Sequence, residues 1–281
     1  MQYALVMFPT EYSIQPAALG RLAEEKGFDS VWLPEHTHIP LSRKTPWPGG
    51  PVLPKEYVHT YDPIIALTAM AGATTTLKLA TGIILIPQRD PIITAKEIAT
   101  LDNISNGRVI VGIGGGWNQD ELEDHGVEFR RRFPVLRERV LAMQALWTQE
   151  EAEFHGKYVD FDKSWSYPKP VQQPHPPVVM GGGGTTTFDR VIEFCQGWMP
   201  ISRGGKAPPE LKQRIAELKQ RAEDAGRDPA SIEVSIYAAP RQADIVEELL
   251  EAGADRCIFH IPTGSAEEVR AAVEDAASLI K

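Results

Sequence analysis

Two side chains suited to acid–base chemistry stand next to each other after a short apolar run. Glu35 and His36 directly follow residues 31–34. A carboxylate beside an imidazole can transfer protons near neutral pH, which makes the pair a candidate for general acid–base catalysis. The alternative is a hydrogen-bonded structural pair. His38 is a weaker candidate, and no His-Glu-x-x-His or similar ligand spacing occurs, so we predict no metal site.

A run of four glycines points to a phosphate site. Gly181, Gly182, Gly183 and Gly184 precede Thr185, between an apolar run and a helical stretch. Glycines let backbone N–H groups approach an anion, and a helix N-terminus adds positive potential. A tight turn is the alternative, although four glycines exceed what a turn requires. The spacing matches neither the dinucleotide-binding nor the P-loop fingerprint.

Glycine recurs at two further positions where a ligand could approach the backbone. Gly114, Gly115 and Gly116 precede Trp117, and they either allow a flat ring to lie on the backbone or form another turn. Trp117 either stacks on that ring or packs internally. Gly82 interrupts the apolar residues 77–86, which marks a bulge, a close ligand approach or relief of crowding.

The elements that must position these residues are eight short apolar runs alternating with helical stretches. The runs are dense in Val, Ile and Leu, which is typical of parallel strands covered on both faces. Eight strand–helix units predict a (β/α)8 TIM barrel that forms a single domain over residues 1–281, with a doubly wound open sheet as the rival fold. The eight runs are residues 3–8, 29–33, 77–86, 109–113, 178–180, 197–201, 232–237 and 256–261.

Two irregular segments break the alternation, and we predict them as insertions after the second and fourth strands. The first, residues 34–61, carries Trp47 and Tyr57 and is a candidate lid that closes on a substrate. Its basic residues either contact an anionic ligand or are solvated loop charges; they are Arg43, Lys44 and Lys55. The second irregular segment is residues 150–177.

Charge and composition restrict the class of protein. The 281 residues include 29 Lys and Arg against 38 Asp and Glu, a formal net charge of −9 that argues against nucleic-acid binding. No apolar run reaches the roughly 18 residues of a membrane helix, and the first residues do not have the pattern of a signal peptide. Cys195 and Cys257 lie in apolar stretches. We therefore expect a cytoplasmic protein with reduced thiols.

Taken together, these residues resemble the bacterial luciferase-like superfamily of flavin- and deazaflavin-dependent oxidoreductases. The resemblance rests on an ordered set of motifs over nearly the whole chain. Length and motifs are most similar to the branch that uses coenzyme F420, a deazaflavin. The motifs are residues 27–36, 79–91, 95–102, 105–109 and 112–117, a Pro-x-Pro ahead of residues 177–182, and residues 197–198.

The resemblance implies a function and assigns roles within it. It implies hydride transfer between F420 and a small organic substrate, with FMN-dependent monooxygenation as the alternative. His36 would transfer a proton, and Glu35 would orient it or touch the ring. In several relatives a bulge in the third strand contains a non-prolyl cis peptide behind the ring. The implied cofactor contacts are Thr81, Gly82, Ile83, Gly114, Gly115, Gly116 and Trp117 for the ring, and Gly181, Gly182, Gly183, Gly184 and Thr185 for the phosphate.

One departure from the family bears on the substrate. A relative that oxidises glucose 6-phosphate has a catalytic glutamate where Trp117 stands here. We therefore expect either a less polar substrate or a reaction in which the cofactor does the chemistry and the protein mainly positions it. The resemblance also implies a homodimer formed through the helices after the second and third strands. The apolar residues 64–73 suit such an interface, and packing against the barrel explains them equally well. The residues are also compatible with a non-catalytic flavin binder or with an unrelated barrel enzyme that acts on a phosphorylated metabolite.

Overall fold

Eight parallel strands close into a barrel in the computed structural model, which describes residues 1–42 and 44–280. Strand β1 (Gln2–Val6) pairs with β2 (Ser30–Leu33) on one side and with β10 (Arg256–His260) on the other, which closes the ring. The predicted (β/α)8 barrel is confirmed. The barrel strands are β1 (Gln2–Val6), β2 (Ser30–Leu33), β3 (Lys78–Thr81), β4 (Val109–Ile113), β7 (Val178–Gly181), β8 (Gly197–Met199), β9 (Glu233–Ala239) and β10 (Arg256–His260); β5 and β6 lie outside the barrel.

The helices surround the barrel, and several begin where the sequence places a cap. Asp62 accepts a hydrogen bond from the backbone of Ile65, and Asp90 caps the next long helix in the same way, each followed by Pro at the first helical position. The helices are α1 (Pro16–Glu25), α2 (Glu56–His59), α3 (Pro63–Ala71), α4 (Pro91–Ser105), α5 (Gln119–Asp124), α6 (Arg132–Thr148), α7 (Thr187–Phe194), α8 (Leu211–Asp224), α9 (Ala243–Glu251) and α10 (Ala266–Ala277).

The two faces of the barrel strands belong to different hydrophobic clusters. Along β1, Leu5 belongs to the large cluster that includes helix residues, whereas Ala4 and Val6 belong to a smaller cluster with residues of other strands, such as Trp32. Arg256, at the start of β10, is almost fully buried and forms an ion pair with Asp29 at 3.1 Å. The amino end of the barrel is thus filled, so a ligand site belongs at the carboxyl end.

Three segments differ from the expectation. Strand β3 ends at Thr81 rather than near residue 86, because the chain then leaves the ladder and forms a 3₁₀ turn at Ile86–Gln88. The segment 150–177 is not irregular throughout. Its strands β5 (Ala152–His155) and β6 (Asp160–Ser164) form an antiparallel hairpin in which Phe154 pairs with Phe161. Helix α5 was also not predicted.

Residues 34–61, the candidate lid, are held against the barrel. Between β2 and α3 the chain forms the short helix α2. The backbone N–H of Tyr61 donates to the carbonyl oxygen of Pro9 at 2.8 Å, which holds the segment against the carboxyl end of the barrel.

Cys195 and Cys257 are buried and unpaired. Over residues 1–42 and 44–280, no helix has the length and apolar character needed to cross a bilayer.

Candidate active site

A cavity of about 320 Å³ opens at the carboxyl end of the barrel. Of the fourteen residues predicted for catalysis or cofactor contact, ten line it and four do not: Thr81, Gly183, Gly184 and Thr185. The structure thus brings ten of the predicted residues together at one end of the barrel. The lining residues are Phe8, Pro34, Glu35, His36, Tyr57, Gly82, Ile83, Leu85, Gly114, Gly115, Gly116, Trp117, Phe133, Gly181, Gly182, Met199, Ile201 and Tyr237.

Glycines form one wall of the cavity, and at two of them neighbouring side chains leave no room for a Cβ. A Cβ built on Gly114 would lie 1.9 Å from Cδ1 of Ile83, and one on Gly115 would lie 2.9 Å from the ring of Phe133. Across the wall, Gly182 has an open face, with no atom within 4 Å of a Cβ position. The Gly82–Ile83 peptide bond in this wall is cis. Gly114 and Gly115 therefore allow Ile83 and Phe133 to pack closely, and Gly182 leaves open space beside the backbone.

Thr81 stabilises this wall from behind. Its hydroxyl donates to the carbonyl oxygen of Gly112 at 2.7 Å, and the residue is buried. A Cβ on Gly112 would lie 2.0 Å from the carbonyl oxygen of Thr81, so the two strands are in close contact. Thr81 thus joins β3 to β4 and does not line the cavity.

The imidazole of His36 has a carboxylate partner that was not predicted. His36 Nδ1 lies 2.8 Å from Glu121 Oε2, and both side chains are buried, with 6% and 1% of their surfaces exposed. Glu121 Oε1 also accepts the backbone N–H of Thr37 at 3.2 Å. Because Nδ1 is occupied by Glu121, Nε2 is the ring nitrogen available to a ligand in the cavity.

Glu35 does not pair with His36, which corrects the interpretation of Glu35 as the group that orients the imidazole. Glu35 Oε2 accepts the backbone N–H of Leu85 at 2.5 Å, and Oε1 lies 2.6 Å from Arg89 Nη2. Arg89 also contacts Asp62 at 2.5 Å and Glu97 at 3.2 Å. Burial raises the pKa of Glu35, and the guanidinium of Arg89 opposes that rise. Glu35 contacts the cavity as one member of this ion-pair network.

Helix α5 brings Glu121 to the imidazole. The side chain of Asn118 caps the helix, and Leu122 is buried beneath it. The candidate lid also bonds to this helix, since the backbone N–H of Lys44 donates to Asp120 at 2.5 Å. The sequence signal for Glu121 was weak, because residues 119–124 have the composition of a solvated acidic stretch. An Asn cap after the glycine cluster was the available clue.

Aromatic side chains form the wall opposite the glycines. Tyr57, on α2, lies 4.5 Å from the ring centroid of Phe8, 5.1 Å from His36 and 6.4 Å from Trp117. Trp47 packs against the same tyrosine at 5.6 Å. Tyr237 completes the lining, and burial raises the pKa of its hydroxyl. The predicted role of residues 34–61 as a cover thus has a structural basis in Tyr57, which lines the cavity.

The predicted phosphate loop extends from the cavity to the surface. Gly181 and Gly182 line the cavity, whereas residues 183–185 are exposed before α7. A Cβ built on Gly183 would lie 3.1 Å from Nη1 of Arg214, so a guanidinium cation lies beside the loop. The lid cations are engaged elsewhere: Lys44 lies 3.3 Å from Asp120, and Lys55 lies over the ring of Tyr12. Arg43 lies outside the described residues.

Three features of the cavity suit a cofactor that carries a ring and a phosphate. The glycine wall offers a flat surface, and the exposed glycine loop beside Arg214 offers N–H donors and a positive charge for a phosphate. Among the described residues, neither the Nε2 nor the Oε1 of the buried Gln88 side chain has a hydrogen-bond partner. A Cβ built on Gly116 would lie 4.0 Å from this Nε2. Such a cofactor fits the arrangement.

Comparison with known proteins identifies the family. The family model described as "Luciferase-like monooxygenase" matches residues 15–278. The chain belongs to this luciferase-like family. A relative over nearly the full length is "Uncharacterized protein Rv0953c" of Mycobacterium tuberculosis, 42% identical over 280 residues, which cover 98% of this chain and 96% of the relative.

Solved structures show the same fold for this luciferase-like protein. Monooxygenase RslO1 from Streptomyces bottropensis matches with a TM-score of 0.82 and 20% identity, covering 100% of this chain and 98% of the other. An F420-dependent secondary alcohol dehydrogenase, solved with an F420-acetone adduct, matches with a TM-score of 0.78 and 20% identity, covering 99% and 98%. The neighbours of this luciferase-like barrel thus include a monooxygenase and an F420-dependent enzyme.

Proposed function

We propose that this protein is an F420-dependent oxidoreductase that moves a hydride between the deazaflavin and a small organic substrate. The observation that carries the proposal is the buried His36–Glu121 pair at the edge of the cavity. Hydride transfer between a carbon and F420 is coupled to proton transfer at the attached oxygen, and the pair supplies a group for that proton. The structural similarity to an F420-dependent alcohol dehydrogenase supports the same reaction class.

Within this proposal, the glycine residues hold the cofactor. Gly114, Gly115 and Gly116 would contact the ring, together with Gly82 and Ile83 directly after β3. The loop 181–185 and Arg214 would contact the phosphate. When bound, F420 supplies or takes up a hydride at its ring carbon.

The proton is assigned to Nε2 of His36. Glu121 accepts the Nδ1–H, which fixes the ring orientation and leaves Nε2 unprotonated in the neutral imidazole. Nε2 then takes the proton from a substrate hydroxyl as the hydride leaves the carbon. In the reverse direction it returns that proton to a carbonyl oxygen. The carboxylate of Glu121 stabilises the imidazolium that forms in between.

The lining favours an uncharged and largely apolar substrate. Phe8, Tyr57, Trp117, Met199 and Ile201 offer no ionic partner. Glu35, which also lines the cavity, is already paired with Arg89. A phosphorylated or carboxylated substrate would leave its charge unpaired in this pocket.

The second candidate is an FMN-dependent luciferase-like monooxygenase that uses reduced flavin and oxygen. Its support is the similarity to monooxygenase RslO1 over the full chain. Both cofactors carry a phosphate that the glycine loop can accept. For this candidate, the apolar lining of the cavity would protect the reacting flavin from water.

Fluorescence titration of the purified protein with F420 and, separately, with FMN tests the proposal. We expect micromolar or tighter binding of F420 and weaker binding of FMN. The reverse order, with oxygen uptake in the presence of reduced FMN, would favour the monooxygenase. Binding of neither cofactor would overturn both candidates.

We also propose a cytoplasmic homodimer. Residues 64–73 were expected either to form a dimer interface or to pack against the barrel. Most of α3 packs on the barrel, but Ile65 is 74% exposed. Ile93 on α4 is 60% exposed, and α3 contacts α4, so the two side chains lie on adjacent helices after β2 and β3. Sedimentation analysis should give a dimer for the wild type and a monomer for the Ile65→Glu, Ile93→Glu double variant. A monomeric wild type would contradict this assignment.

A further inference from the structure

Two arginines lie on the same phenylalanine at the edge of the cavity. The guanidinium carbon of Arg190, on α7, is 4.0 Å from the ring centroid of Phe133, and that of Arg132, at the start of α6, is 4.6 Å from it. Phe133 lines the cavity and contacts the glycine wall at Gly115. The Arg132–Arg190 pair therefore lies where the cavity meets the helix that follows the glycine loop.

Within residues 1–42 and 44–280, neither arginine of this pair has a carboxylate within ion-pairing distance. Arg132 Nη1 donates to the carbonyl oxygen of Phe129 at 2.9 Å, and Arg190 Nη1 donates to that of Thr186 at 3.1 Å. Arg132 Nε is buried with no partner in the same residues. Other arginines nearby are neutralised: Arg131 by Glu128, Arg137 by Glu193 and Arg221 by Asp189.

Two half-buried cations on the same ring repel each other. Burial and the charge of Arg190 both lower the pKa of Arg132, which is consistent with this repulsion. The arrangement is unusual in a chain with a net charge of −9, where acidic partners are abundant. Guanidinium groups bind carboxylates and phosphates with two parallel hydrogen bonds, so an anion between the two arginines would satisfy both.

We propose that Arg132 and Arg190 form a second anion subsite, which binds a carboxylate of the same ligand whose phosphate lies on residues 181–185. The inference rests on the proposed function. F420 continues beyond its phosphate into a tail with several carboxylates, whereas FMN ends at its phosphate. The subsite therefore favours F420 over FMN. It would supply the contact with an anionic ligand that was considered for the lid residues Lys44 and Lys55.

Three ligands separate the ring, the phosphate and the tail. Dissociation constants are measured by fluorescence for F420, for the deazaflavin 5′-phosphate, which lacks the tail, and for the deazaflavin riboside, which lacks both groups. The variants are Arg132→Gln and Arg190→Gln, with Arg132→Lys to retain the charge. Arg131→Gln is the matched control, since it removes the adjacent charge, which is exposed and paired with Glu128.

The subsite predicts a loss confined to the tailed ligand. Each Gln variant should bind F420 about tenfold more weakly, the effect of one lost charge-assisted contact, and Arg132→Lys should recover part of that loss. Binding of the two shorter ligands should change less than about twofold, as should F420 binding by Arg131→Gln.

Three results would overturn the inference in distinguishable ways. Equal loss for all three ligands would mean that the arginines maintain the fold of the cavity through Phe133. An equal loss of affinity for the two phosphorylated ligands alone would mean that the arginines bind the phosphate and not the tail. Unchanged F420 binding would exclude the subsite. A wild type that binds none of the deazaflavins would instead overturn the proposed function, and the subsite with it.

Discussion

At the scale of single residues, the main finding is the carboxylate that accompanies His36. The sequence neighbour Glu35 is turned toward Arg89, and the distant Glu121 contacts the imidazole instead. Adjacent residues in an extended segment point in different directions, so sequence adjacency is a poor guide to which side chains touch. We propose that Glu121 is a positioning residue that acts through the histidine.

Glu121→Gln tests this role. The amide cannot stabilise an imidazolium, so we expect kcat to fall by about 10²-fold while the dissociation constant of F420 stays within about twofold. Glu123→Gln, on the same helix, is the control and should retain kcat. Equal losses in both variants would mean that only helix α5 was disturbed.

The buried Glu35–Arg89 ion pair should contribute strongly to the fold. Arg89→Met leaves the Glu35 carboxylate buried without its cation, for which we expect a loss of about 3–5 kcal/mol in the free energy of unfolding. Arg137→Met breaks the exposed pair with Glu193 and should lose about 1 kcal/mol or less. Urea unfolding measures both. Similar small losses would show that the Arg89 network is dispensable.

At the scale of elements, glycine sets how closely β3 and β4 approach. Gly112→Ala would place a methyl group 2.0 Å from the carbonyl oxygen of Thr81, backbone that cannot move freely. We expect a loss of about 3 kcal/mol or more in the free energy of unfolding. Gly72→Ala at the end of α3 meets nothing closer than 4.0 Å and should be neutral or slightly stabilising. A tolerated Gly112→Ala would contradict this packing.

The turn before β3 depends on one carboxylate of α1. Glu24 accepts the backbone N–H groups of Thr75, Thr76 and Leu77 at 2.6–2.9 Å. Partial burial opposes ionisation, but these donors outweigh it and lower the pKa of Glu24 to about 2. An unfolded glutamate titrates near 4.3, so the stabilisation is present above that pH and is lost as the pH falls toward 2.

Glu24→Gln should remove this pH-dependent term. We expect a loss of about 1–2 kcal/mol at pH 7, limited by solvent screening, and a smaller difference from the wild type at pH 3. Thermal unfolding at a series of pH values measures it, with the exposed Glu25→Gln as control. A difference from the wild type that is the same at pH 3 and pH 7 would refute the role of the carboxylate.

For the whole molecule, the sequence predicted the barrel, and ten of the residues it singled out for a site line one cavity. Eight dense apolar runs suffice for the barrel, because parallel strands covered on both faces are recognisable locally. Since β1 pairs with β10, the first and last strands close one sheet, and we propose that residues 1–281 form a single domain.

What the sequence did not predict depends on contacts between distant segments. Glu121 meets His36 only when α5 folds back over the rim, and Phe133, Met199 and Tyr237 reach the cavity from three different parts of the chain. The hairpin β5–β6 was missed because its short strands are mostly exposed and lack a buried apolar run. No local pattern encodes such contacts.

A crystal structure of the protein grown with F420 would show where the cofactor binds. We expect the deazaflavin ring on the wall of Gly114, Gly115 and Gly116, its phosphate on residues 181–185, and Nε2 of His36 facing the space left for a substrate. A ring bound outside this cavity would contradict the proposed function. So would an empty cavity in crystals that take up FMN there under the same conditions.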